Sequence, residues 1–151
     1  MSDFIRINGL PTDHAEKAYK EGYYLEALQT LHGWLECKLR ELLLMQRTTN
    51  DTPHDSWASA WDASNEFSLN NAAKTLFVIG VITESEYSRI KKFNRLRNNL
   101  VHKIFYDPYN ESWKGVPHHE IEEAFKSGML LSEEIEFKSG EVLESQNTSN
   151  K

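Results

Sequence analysis

The sequence predicts an all-α fold, an up-and-down bundle of four to five helices, and three observations carry that expectation. Apolar residues recur at steps of three and four, most clearly Leu28, Leu31, Leu35, Leu39 and Leu42, which places them along one helical face. Helix stop and start signals punctuate the chain at Gly22, Gly80 and Thr83. No strong alternation of apolar and polar residues marks a β-strand.

Each element follows from local chemistry. Pro11 with Thr12 or Asp13 suits the first turn of a helix that runs to about Glu21, where Gly22 breaks it. The leucine ladder then predicts a longer helix from Tyr24 to about Gln46, with Trp34 and Met45 widening its buried stripe. The interval from Arg47 to Phe67 combines a polar stretch, TTNDTPHDS, with a short helical piece that sets Trp57 and Trp61 on one face, where packing is their ordinary role. Asn70 to Ile79 is a helix stopped by Gly80. Thr83 followed three residues later by Glu86 is a capping box, opening a helix from Glu84 to about Phe105 that Asp107 and Pro108 end. After the turn-rich connector DPYNESWKGVP, Pro117 opens a last helix through Ile121, Phe125, Met129 and Ile135. The expected organisation is an N-terminal extension over 1–10, one helical domain over 11–137, and a flexible C-terminal tail over 138–151.

A length of 151 residues, 39% hydrophobic and 26% charged, suits one soluble domain with a respectable core. The lone cysteine, Cys37, rules out an internal disulfide framework and a zinc site built mainly on cysteines, so a cytoplasmic setting is expected. No apolar run approaches the roughly 20 residues of a membrane span, and MSDFIRINGLP lacks a basic region followed by an apolar segment, so neither membrane association nor export is expected. A formal net charge of -6 argues against coating nucleic acid through diffuse positive charge. A local basic site remains open: from Ser88 to Lys103 the sequence holds Arg89, Lys91, Lys92, Arg95, Arg97 and Lys103 without one Asp or Glu.

Within that segment, Ile90, Phe93, Arg97, Leu100 and Ile104 follow one another at helical steps, so an arginine stands in an apolar stripe. An unpaired buried charge is costly, so Arg97 must find a core partner, extend its stem to water, or face a groove that uses a guanidinium to bind an oxyanion. Beside it, Asn94, Asn98, His102 and Tyr106 are each four apart and form a polar flank. Other candidates are weaker. His119 and Glu123 have a spacing that could hold a metal, but His118, His119 and the glutamates after them read as an acidic helix start, and no metal site is expected. His32 reads as structural. No cofactor is expected, since neither a phosphate-binding glycine loop nor a serine or cysteine nucleophile arrangement is present.

The hexapeptide RNNLVH, Arg97 to His102, resembles the signature of HEPN domains (higher eukaryotes and prokaryotes nucleotide-binding), which carry it on a late helix of an all-α bundle. The resemblance spans roughly residues 10 to 137 and includes the general look of EGYYLEALQTLHGWLECKLRELLL. It implies a metal-independent endoribonuclease, typically a homodimer whose two motifs face each other. Carried over, Arg97 holds the scissile phosphate, His102 transfers protons so that the ribose 2′-hydroxyl attacks phosphorus, and Asn98 orients one or the other. RNA is the implied partner, with Lys91, Lys92, Arg95, Lys103 and Tyr106 as expected RNA-binding residues. Many such domains are toxins or antiphage and stress-response ribonucleases, so an antitoxin protein is a further implied partner. One branch is inhibited by modification of a tyrosine two residues after the histidine; that position here is Ile104. Other HEPN domains are non-catalytic modules that bind nucleotide, RNA or protein, and a purely structural helical module is a third possibility.

Overall fold

Among the residues described by the computed structural model, 4–48, 56–105, 108–109 and 115–149, every secondary-structure element is an α-helix. Its helices are α1 (Pro11–Lys20), α2 (Tyr24–Thr48), α3 (Trp57–Asn65), α4 (Leu69–Val78), α5 (Glu84–Lys103) and α6 (His118–Ser149). The described residues thus hold six helices rather than four to five, because the short piece carrying Trp57 and Trp61 forms a helix of its own, α3, ahead of α4. None of these helices is long and apolar enough to cross a membrane.

Glycine ends two of the helices for a shared physical reason. Gly22 and Gly80 adopt φ of 85° and 80°, a left-handed conformation that side chains disfavour. At each, two backbone bonds fold the chain back over its last turn: Tyr23 N–H to Ala18 O at 2.8 Å and Gly22 N–H to Tyr19 O at 3.1 Å, with Val81 and Gly80 repeating the pattern on Leu76 and Phe77. The first turnaround sets α1 against α2; the second leads to Thr83.

The leucine ladder of α2 is the centre of the core. Leu28, Leu31, Leu35, Leu39 and Leu42 are at most 1% exposed, so α2 packs against α1, α3, α4 and α6. Chain directions follow from named contacts. Tyr24 meets His118, and Gln146 Nε2 donates to Met45 O at 2.9 Å, so α2 and α6 run parallel. α5 opposes α6, since Glu86 meets Lys138 near one end and Lys103 approaches Glu120 near the other.

The last helix does not stop near Ile135. Residues 138–149, expected as a tail, continue α6: Ser139 is buried, Val142 packs on the core, and the Gln146 bond fastens the end. Composition looked tail-like, but the apolar side chains retain helical spacing and find α2 beside them.

The capping box of α5 is present. Thr83 Oγ1 accepts from Glu86 N–H at 3.2 Å, and Glu86 Oε2 accepts from Thr83 N–H at 2.7 Å and from Lys138 Nζ at 2.7 Å. Burial alone would raise the Glu86 carboxyl, but the bonds from Lys138 and Thr83 and the Lys138 charge hold it below the usual carboxylate range. Arg89 forks onto Glu134 of α6 with both carboxylate oxygens engaged. α5 is therefore held in rotation as well as position. That matters because its outer face carries the site.

α4 is set by α2. Glu36 Oε2 accepts the Leu69 N–H at 2.9 Å, and Arg40, itself paired with Glu36, donates to Phe67 O at 2.8 Å. The first turn of α4, including Asn70, is thereby fixed beside α5.

Candidate functional site

The α5 stripe separates as its chemistry requires. Ile90, Phe93 and Leu100 are fully buried, whereas Arg97 is half-buried at the edge of the core. Its guanidinium meets no carboxylate among the described residues. Nε donates to Gln29 Oε1 at 2.9 Å, Nη2 donates to the same oxygen, and Nη1 donates to Asn98 Oδ1 at 2.7 Å. Neutral amides orient the charge without cancelling it, unlike a salt bridge. These three bonds use three of the five N–H groups of an arginine, so two remain for an oxyanion.

A second contact runs parallel to the first. His32 Nε2 lies 3.0 Å from Asn94 Oδ1. Gln29 and His32, three apart on α2, therefore hold Arg97 and Asn94, three apart on α5. Neither Gln29 nor His32 was singled out from sequence as a site residue. Burial first, and then the positive charge of Arg97, draw the His32 imidazole below its ordinary range; Glu36 and the Asn94 bond oppose this only in part, and Arg40 adds to it. The sign for stability follows. A base held neutral by the fold contributes fully above its unfolded value of about pH 6.5, and the contribution declines as the pH falls below that, since the unfolded chain takes up the proton first. Urea denaturation is expected to show a steeper loss of stability between neutral and mildly acidic pH for the wild type than for His32→Gln. Equal slopes would show that His32 does not titrate differently on folding.

Outside this inner row lies a groove of about 510 Å³ between α4 and α5. Lys91, Lys92 and Arg95 line it, together with Asn70, Asn94, Asn98, Asn99 and Ser88, and no carboxylate is among the lining residues. Of the expected RNA-binding residues, the structure thus gathers Lys91, Lys92 and Arg95 on one surface. Lys91 also stands over the Tyr87 ring at 5.2 Å, and Lys92 reaches Glu123 of α6 at 2.8 Å. Arg95 is exposed and makes no hydrogen bond or ion pair among the described residues. Lys103 is not brought there; it turns toward α6, with Nζ 3.9 Å from Glu120. Tyr106 lies outside the described residues.

Of the three expected catalytic residues, Arg97 and Asn98 touch, and Asn98 lines the groove. His102 is exposed, one turn beyond Asn98, and meets neither of them by a hydrogen bond. Five residues at about 100° each set it some 140° around α5 from Arg97. Among the described residues no group of three or more His, Cys, Asp or Glu assembles where a metal ion could be held; Glu123 is taken up by Lys92 instead. Trp57 and Trp61 flank a separate cleft of about 290 Å³ with Leu143 and retain over a third of their exposure.

No protein-family model, curated protein or solved structure matches the chain.

Proposed function

We propose that this protein is a metal-independent endoribonuclease of the HEPN type, acting as a homodimer in a toxin-like, antiphage or stress-response role. The observation that carries the reading is the carboxylate-free basic groove on α5, which shares Asn98 with a guanidinium that still has two N–H groups to offer. Arg97 binds the scissile phosphate and stabilises the charge that develops on its oxygens. His102 takes the proton of the ribose 2′-hydroxyl, the 2′-oxygen bonds to phosphorus, and the 5′-oxygen departs with a proton returned by an imidazolium. The ends left are a 2′,3′-cyclic phosphate and a 5′-hydroxyl. RNA supplies its own nucleophile, held next to its target, which DNA lacks.

A specific observation favours a second reading, a non-catalytic HEPN-like module that binds nucleotide, RNA or protein in the same groove. Within one protomer Arg97 is taken up by Gln29 of α2 and Asn98, while His102 stands exposed away from both. Catalysis therefore needs two copies of α5 facing one another; binding does not. Purified protein incubated with RNA in the presence of a chelator separates the two. Cleavage with cyclic-phosphate ends by a species that light scattering sizes as a dimer supports the enzyme. A monomer that binds RNA and leaves it intact supports the module.

A further inference from the structure

Asn98 and Asn94 differ from ordinary surface amides because each has an inner partner. Arg97 carries donors only, so the oxygen of Asn98 must be the atom turned toward it, as it is at 2.7 Å. Asn94 likewise turns Oδ1 toward His32 Nε2 at 3.0 Å, which requires that nitrogen to carry the hydrogen. Burial and the Arg97 charge favour the neutral ring. The amide nitrogens of both asparagines make no hydrogen bond among the described residues. Beside them on the groove wall stand Lys91 and Arg95, whose side chains cannot accept a hydrogen bond. The wall from Lys91 to Asn98 therefore turns donors outward, and the side-chain acceptors of the groove are left to Ser88, Asn70 and Asn99 at its edges.

We propose that this wall is a base-selecting subsite for single-stranded RNA that prefers uracil over cytosine, with the Nδ2 groups of Asn94 and Asn98 as the reading atoms. The inference rests on the RNA reading above and extends it to specificity. Phosphodiester oxygens satisfy the lysine and arginine whatever the sequence. The base edge decides the rest. Uracil and cytosine match in size and stacking but differ at position 4, where uracil offers a carbonyl acceptor and cytosine an amine donor. A donor facing a donor leaves both unpaired, a cost that favours uracil over cytosine opposite Asn94 and Asn98.

Fluorescence anisotropy with short 2′-O-methyl oligo(U) and oligo(C) of equal length, which resist cleavage, tests this. The wild type is expected to bind oligo(U) about tenfold more tightly, the scale of discrimination by one well-placed hydrogen-bonding pair. Asn98→Asp and Asn94→Asp keep an oxygen for the inner partner but turn an acceptor outward, so each is expected to erase or reverse that ratio. Asn99→Asp places the same new charge in the same groove, on a side chain with no inner partner; it is expected to weaken both ligands and leave the ratio intact. Thermal melting checks that each variant folds. Equal binding of the two oligomers by the wild type overturns the subsite and leaves the RNA reading standing. A ratio lost as fully in Asn99→Asp as in Asn98→Asp also overturns it, since charge alone then accounts for the effect. No binding to either oligomer overturns the RNA reading and this inference together.

Discussion

Arg97→Lys is expected to lower the RNA cleavage rate by about 10²- to 10³-fold, the cost of removing one well-placed donor to a developing oxyanion. Lysine keeps the charge and most of the stem. It loses the planar fork that lets Arg97 bond Gln29 and Asn98 and still direct two N–H groups elsewhere. A compact ammonium must choose among these partners, so the phosphate is held less well or the groove-side amide of Asn98 is released. Charge retention makes this variant more informative than Arg97→Ala, because simple RNA attraction is kept. Anisotropy is therefore expected to show RNA binding near the wild-type level while turnover collapses. His102→Ala is expected to lower turnover by about 10²- to 10⁴-fold, the range for a general acid–base group, and to change the pH dependence of what remains. Residual cleavage with the wild-type pH profile in both variants would point to a contaminating nuclease and remove the enzyme reading. Since the two groups do not meet within one protomer, mixing Arg97→Lys with His102→Ala protein gives a further measurement. Partial recovery of activity is expected where heterodimers restore one intact composite site, and its absence at demonstrated subunit exchange would argue that the site lies within a chain.

Much of the framework was legible because its signals are local. Thr83 and Glu86 are three residues apart and satisfy each other's backbone groups, and Gly80 takes a conformation that few residues tolerate. The leucine ladder shows its buried face through spacing alone. Arg97 was legible as an anomaly for the same reason, since a charge interrupts a regular apolar stripe. Its partners were not. Gln29 and His32 lie 68 and 62 residues away from Arg97 and Asn94, and nothing in one sequence ties a surface glutamine to a distant arginine. The basic segment divides for an equally non-local reason. Arg89, Lys92 and Lys103 reach the acidic residues of α6, and only the helix packing decides which cations are taken up in this way. The end of α6 was missed because serine, glycine and glutamine suggest a mobile tail, whereas its position against α2 supplies the contacts that keep it helical.

The packing of α5 against α6 and α2 closes tightly around one glycine, and Gly128→Val is expected to destabilise the core strongly. Gly128 is buried in α6, where a Cβ would stand 2.6 Å from Phe93 Cε2 of α5 and 3.0 Å from Leu31 Cδ1 of α2. Both neighbours are fully buried, so neither has an exposed edge to swing aside. For Gly128→Ala two effects oppose one another. Helix propensity favours alanine by about 1 kcal/mol, while overpacking a well-filled core costs about 1–3 kcal/mol. A contact at 2.6 Å against a ring held on all sides puts the balance on the overpacking side, and the net loss is expected near 1 kcal/mol; the two further methyls of valine raise it to about 3 kcal/mol. Urea denaturation measures both. Phe93→Leu, which shortens the obstructing ring, is expected to cost stability alone yet to recover part of the loss in the Gly128→Ala background, a coupling reserved for residues in contact. The consequence also reaches the site: Phe93 precedes Asn94 on α5, so a shift that relieves the clash moves Asn94 and Arg97 away from His32 and Gln29. Folded Gly128→Ala protein is therefore expected to lose part of its base preference along with its stability. If it is instead more stable than the wild type by about the propensity difference, the Phe93 ring yields freely and the close packing does not govern where α5 sits.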